Sequence, residues 1–191
     1  MNSRPEAILI GASAGGVDAL SAILPTLPSD YPIPVLIVVH LPPHHSSLLP
    51  ELFNAKCLVT VKEAEDKEPI EAATVYFAPP DYHLLIEANR HLALSSDEPV
   101  FYSRPSIDVL FESSADIFAA NAVGIILSGA NNDGALGLRA IQDAGGIALV
   151  QNPASAQSPE MPRAALAVCS NARSMSLAEI AAYLVEVVAT K

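Results

Sequence analysis

Apolar positions along the chain fall into two rhythms. Ala7–Ile10, Pro34–Val39, Ala122–Leu127 and Ile147–Val150 are nearly unbroken apolar runs of strand length, the pattern of strands buried on both faces. Between them the apolar residues recur every three or four positions. A helix is expected over 16–23, closed by Pro25 and Pro28, and another around Leu48–Phe53 behind Ser46-Ser47. Ser106 caps a third, in which Ile107, Leu110, Phe111, Ala115, Phe118 and Ala119 share one face. Gly134–Ala144 forms a fourth, stopped by Gly145-Gly146, and the Ser176–Glu179 pair opens a C-terminal helix with Ile180, Leu184 and Val187-Val188 inward. The middle of the chain differs: Val75–Ala78, His83–Glu87 and His91–Leu94 are short strand patterns, the last two joined by Ala88-Asn89-Arg90 as a hairpin. Strands that alternate with helices pair in parallel. The expectation is therefore one α/β domain over residues 1–191: a doubly wound, mainly parallel sheet with helices on both faces and a small antiparallel hairpin portion.

Composition narrows what such a domain can do. Of 191 residues, 51% are hydrophobic and 16% charged, too apolar for an extended or disordered chain. Ten basic against 21 acidic residues leave a net charge of −11, the wrong sign for neutralising phosphates, so nucleic acid is not an expected partner. Cys57 and Cys169 have neither disulfide-framework nor zinc-ligand spacing. No apolar run approaches the roughly 20 residues of a membrane span, and Met1–Glu6 lacks the layout of a secretory signal. A cytoplasmic protein, not embedded in a membrane, is expected.

Against that background three side chains stand out by position. Gly11-Ala12-Ser13-Ala14-Gly15 matches the nucleophile-elbow pattern G-x-S-x-G and lies between a buried strand and a helix. A plain Gly-Ser turn and a phosphate cradle are the other readings of that segment, although it lacks the G-x-G-x-x-G spacing and a P-loop lysine. A serine at its ordinary pKa needs a base, and His40 ends the next buried strand. His44 and His45 fall in the following loop; His83 and His91 belong to the hairpin and are expected at the surface. Asp133 follows the strand at 122–127 and could accept the imidazole Nδ1 proton or simply cap the helix at Gly134. Asp81, Asp108, Asp116 and Asp143 are its rivals.

Several motifs in one order then carry a family resemblance. Gly11-Ala12-Ser13-Ala14-Gly15-Gly16, Val38-Val39-His40, Ala78–Leu85, Arg104–Ser113, Leu127-Ser128-Gly129 with Asn132–Ala135, and Met161–Ala165 together resemble the catalytic domain of the CheB family of protein-glutamate methylesterases and glutamine deamidases. The resemblance implies Ser13 as nucleophile, His40 as base and Asp133 as orienting acid, with no cofactor and no metal. It implies methylated chemotaxis receptors, through their cytoplasmic helices, as substrate. Because the chain begins at the catalytic strand rather than at a receiver domain, regulation is expected from a separate protein or from expression. Ala14 stands where the family commonly has Thr, and Ala130-Asn131 where it commonly has Met-Gly. Ala14, Ala130 and Asn131 are thus the candidate oxyanion and substrate loop. Two other readings stay open: a catalytically silent module binding an anion or a partner at Gly11–Gly16, and an esterase for another methylated protein or a small ester.

Overall fold

The computed structural model describes residues 4–40 and 48–189. The chain opens with β1 (Ala7–Ala12), α1 (Gly16–Ile23), β2 (Val35–Val39), α2 (Leu49–Asn54), β3 (Thr60–Glu63) and β4 (Thr74–Phe77). A hairpin of β5 (His83–Ile86) and β6 (Leu92–Ser95) follows, then α3 (Ile107–Phe118), β7 (Ala122–Ile126) and α4 (Ala135–Asp143). The chain continues through β8 (Ile147–Gln151), α5 (Glu160–Val168), β9 (Arg173–Met175) and α6 (Leu177–Ala189).

Seven strands form one sheet in the order β3-β4-β2-β1-β7-β8-β9, and every pairing in it is parallel. The antiparallel portion is not part of that sheet: β5 and β6 form a separate two-stranded sheet. The alternation of side chains explains why the central strands read as continuous apolar runs. Ile8, Ile10 and Ala12 of β1 face a core closed by α1, α2 and α6, while Ala7 and Leu9 face one closed by α3, α4, α5 and the hairpin. A strand covered on both sides has no polar face to show.

Two strands escaped the sequence reading for the complementary reason. β3 and β9 are the two edges, four and three residues long, with mostly exposed or half-buried side chains. Short polar edges carry no apolar run. β1 continues two residues past Ile10, through Gly11 and Ala12, both buried. Gly11 lets it do so because a β-carbon there would stand 2.3 Å from Ile107 Cγ2, so the start of α3 lies directly against the strand. At the C-terminus, the expected capping box is present: Ser176 N and Oγ both donate to Glu179 Oε2 at 2.7 Å, and Glu179 N donates to Ser176 Oγ at 3.3 Å. Ser46-Ser47, expected to precede α2, lie outside the described residues.

Chain order places the reversal of the sheet between β1 and β7, since β2, β3 and β4 lie on one side of β1 and the later strands on the other. Open parallel sheets bind ligands beyond the carboxyl ends of the strands at such a point. The packing of Gly11 against Ile107 is the tightest constraint there. Gly11→Ala should destabilise the protein by about 1–3 kcal/mol, the usual cost of overpacking a filled core; a urea midpoint that does not fall would contradict this packing.

Candidate active site

Ser13 leaves β1 at its carboxyl end, and its N–H donates to Ser128 O at 2.9 Å, tying the turn to the end of β7. The register pairs Ala12 with Val39, and His40 N donates to Ala12 O at 3.0 Å, so Ser13 and His40 are the next residues out on neighbouring strands. The turn differs from a strained elbow in one respect. Its left-handed residue is Gly15 (φ 79°), while Ser13 keeps a negative φ. A β-carbon on Gly15 would meet Gln157 Cβ at 2.7 Å and Ser128 Oγ at 2.8 Å, so the glycine serves both conformation and close approach.

Asp133 is fully buried, and its carboxylate is surrounded by donors. Oδ1 accepts from Ser106 Oγ at 2.8 Å and Asp108 N at 3.0 Å; Oδ2 accepts from Ile107 N at 2.7 Å and His40 Nε2 at 2.8 Å. Burial alone would raise the pKa of this carboxyl. The hydrogen bond from His40 and those from the Asp108 and Ile107 amides outweigh burial and hold it below the ordinary carboxylate value. The side chain therefore remains an acceptor at neutral pH, which puts the imidazole proton on Nε2.

Three expectations change with this geometry. Asp133 meets His40 through Nε2 rather than Nδ1, leaving Nδ1 as the ring nitrogen that carries the lone pair. Asp133 does not cap the helix that follows it, whose N-cap is Gly134 in the left-handed region (φ 92°). It caps α3 instead, taking that helix's first two amides. Ser106, though at the N-cap position of α3, makes no side-chain cap of its own and turns its hydroxyl to Asp133.

His83 corrects a fourth expectation. It is buried, its Nδ1 accepting from Ser106 N at 3.1 Å while its Nε2 lies 3.1 Å from Glu98 O. His83 thus supports the residue that supports the acid. The only advance sign of this was its place at the start of a strand whose other residues are apolar. His91 is half-buried and bonds locally to Asn89; His44 and His45 lie outside the described residues. Among the rival acids, Asp81, Asp116 and Asp143 are exposed. Asp108 is buried and accepts from Gly137 N at 2.6 Å, joining α3 to α4.

The remaining candidates divide. Ala14 and Ala130 are exposed at the rim, whereas Asn131 is half-buried with its side chain against His40: Asn131 Nδ2 lies 3.3 Å from His40 Nδ1, and Asn131 Oδ1 accepts from Asp133 N at 3.2 Å. Ser128, which the sequence offered only as part of the Leu127-Ser128-Gly129 motif, fastens this rim. Its hydroxyl donates to Ala14 O at 2.7 Å and accepts from Ser158 N at 2.9 Å. Among the described residues no group of three or more His, Cys, Asp or Glu side chains could hold a metal ion, and no helix is long and apolar enough to cross a membrane.

Comparison with known proteins adds a second line. The family model described as CheB methylesterase matches residues 8–184. A relative from Leptospira interrogans, provisionally named a protein-glutamate methylesterase/protein-glutamine glutaminase, is 46% identical over 176 residues, covering 92% of this chain and 91% of the relative. The protein-glutamate methylesterase/protein-glutamine glutaminase of Paraburkholderia xenovorans is 41% identical over 181 residues, which are 93% of this chain and 50% of that protein. The crystal structure of the Thermotoga maritima CheB methylesterase catalytic domain matches with a TM-score of 0.90 at 28% identity, covering 96% of this chain and 99% of that one.

The acid network has a measurable cost. Burial, followed by repulsion from Asp133 and Glu112, outweighs the amide bonds and pushes the Asp108 carboxyl from 3.8 up to about 6. The folded protein holds this proton more tightly than the unfolded chain, so the Asp108 contribution favours folding at low pH and is lost as pH rises from about 4 to 6. Asp108→Asn should remove that component: relative to the variant, the wild type should lose thermal stability across this window. Parallel melting curves of the two proteins from pH 4 to 7 would contradict it.

Proposed function

Because the chain belongs to the CheB methylesterase family, we propose that it hydrolyses γ-methyl esters of glutamate side chains on chemotaxis receptors in the cytoplasm, with residues 1–191 acting as one catalytic domain. The observation that carries the reading is the 2.8 Å hydrogen bond between His40 and a fully buried Asp133, at strand ends where residue 13 is the neighbour of residue 40.

In this reading Ser13 Oγ attacks the ester carbonyl carbon while His40 Nδ1 takes the hydroxyl proton. Asp133 holds the ring by Nε2 and stabilises the imidazolium that results. The tetrahedral intermediate collapses, the methoxy oxygen receives the proton from Nδ1, and methanol leaves. Water then attacks the acyl-enzyme, giving its proton to the same nitrogen, and Ser13 is released with a free glutamate. A glutamine side chain would follow the same path with ammonia as the leaving group.

The oxyanion needs N–H donors aimed at it. The Ser13 amide is bonded to Ser128 O and the Gly16 amide to Ser13 O, at 2.9 and 2.8 Å, and neither is free to donate; the proposed donors are the backbone amides of Ala14 and Ala130, both exposed at the rim. A side-chain change at either position spares the amide. The net charge of −11 gives no long-range attraction to an acidic receptor surface, so recognition falls to the local shape of the rim.

Ser13→Ala should lower methanol release from methylated receptor membranes by on the order of 10³-fold or more, with an unchanged melting curve. A fluorophosphonate probe should label Ser13 in the wild type. Labelling of no serine, or of a different one, would overturn the assignment.

A further inference from the structure

The imidazole of His40 is held from both sides. Asp133 occupies Nε2, and Asn131 Nδ2 stands 3.3 Å from Nδ1. The direction of this second contact follows from its surroundings. Asn131 Oδ1 accepts the Asp133 N–H at 3.2 Å, and a reversed amide would set its NH2 group against that N–H and its oxygen against a lone pair. The NH2 group therefore points at Nδ1 and donates to it. Because the ionised Asp133 claims the ring proton at Nε2, Nδ1 is able to accept.

A neutral imidazole nitrogen has a single lone pair in the ring plane. It is the same lone pair that must accept the Ser13 proton, so Asn131 and Ser13 compete for it. Swinging Asn131 aside would cost its Oδ1 the hydrogen bond from the Asp133 amide. Once Nδ1 is protonated, two donors face each other and the contact is lost. Asn131 thus bonds the resting base and not the imidazolium formed during the reaction.

Resting on the hydrolase reading above, we propose that Asn131 is a positioning residue that restrains His40: it caps the basic nitrogen in the unoccupied enzyme and must release it before Ser13 can be activated. This role differs from the oxyanion-loop role expected for residue 131, since it acts through the side chain rather than the backbone. It also makes the acylation step sensitive to one neutral hydrogen bond.

The test compares acylation of Ser13 by a fluorophosphonate in the wild type, Asn131→Ala and Asn131→Asp. The alanine variant frees the lone pair and should label faster by roughly two- to tenfold, the factor that one ordinary net hydrogen bond represents. Asn131→Asp keeps an acceptor for the Asp133 amide but replaces the donor at Nδ1 by a second acceptor, which draws a proton onto that nitrogen; labelling should slow by tenfold or more. A purely structural side chain would slow both variants alike. Labelling of Asn131→Ala at or below the wild-type rate, with an unchanged melting curve, would overturn the proposal. Nitrogen-15 NMR of the histidine-labelled wild type tests it without any variant: His40 should carry its proton on Nε2 with Nδ1 accepting, and a proton on Nδ1 would be fatal. Failure of the wild type to label at Ser13 would instead remove the hydrolase reading, leaving the NMR result to decide the contact by itself.

Discussion

A single buried carboxylate organises this end of the molecule. Asp133 has no solvent of its own, and a bare charge in that position would cost several kcal/mol. It is tolerated because four donors converge on it: two backbone amides, a hydroxyl and an imidazole. The amides are the first of α3, where the helix dipole adds to the hydrogen bonds in favouring negative charge. Two of the helix's orphaned donors are satisfied and the acid's desolvation is offset in the same contact.

That arrangement links fold to chemistry. α3 can reach Asp133 only if its first turn presses onto β1, and Gly11 provides the space. It can stay there because Gly137 of α4 approaches the Asp108 backbone, where a β-carbon would stand 3.0 Å from both Cα and O. The Asp108 carboxylate bridges the two helices through the Gly137 amide. The raised pKa of Asp108 comes first from its burial and then from repulsion by the neighbouring Asp133 and Glu112. The imidazole that Asp133 orients is thus supported by the packing of two helices and one strand rather than by a loop.

The rim above the sheet is built from hydrogen bonds rather than from apolar contacts. Ser128 joins the Ser13 turn to the segment at 158, Gly129 N donates to Ser158 O, and Met161 N donates to Gly129 O. These bonds fix the backbone on which Ala14 and Ala130 stand, so a change of side chain there leaves the framework in place. Asn131 is the exception, because its side chain rather than its backbone enters the site.

Much was legible in the chain itself. Continuous apolar runs announced the central strands because both their faces are buried, and the Gly-x-Ser-x-Gly turn, His40 and Asp133 could be singled out because each follows such a run. The edge strands β3 and β9 were silent because they are short and mostly polar, with few buried side chains. Local sequence determined which segments become strand or helix and which reactive groups end up beyond the carboxyl ends of the sheet. Only tertiary structure decided that Asp133 caps α3 and not α4, that His83 is buried behind Ser106, that Nε2 faces the acid, and that Asn131 faces Nδ1. Each of those is a contact between residues at least 23 positions apart, with the Asn131–His40 pair separated by 91. Propensity and periodicity act over one turn or one strand; the direction of a side chain across such a gap is set by how helices seat on the sheet.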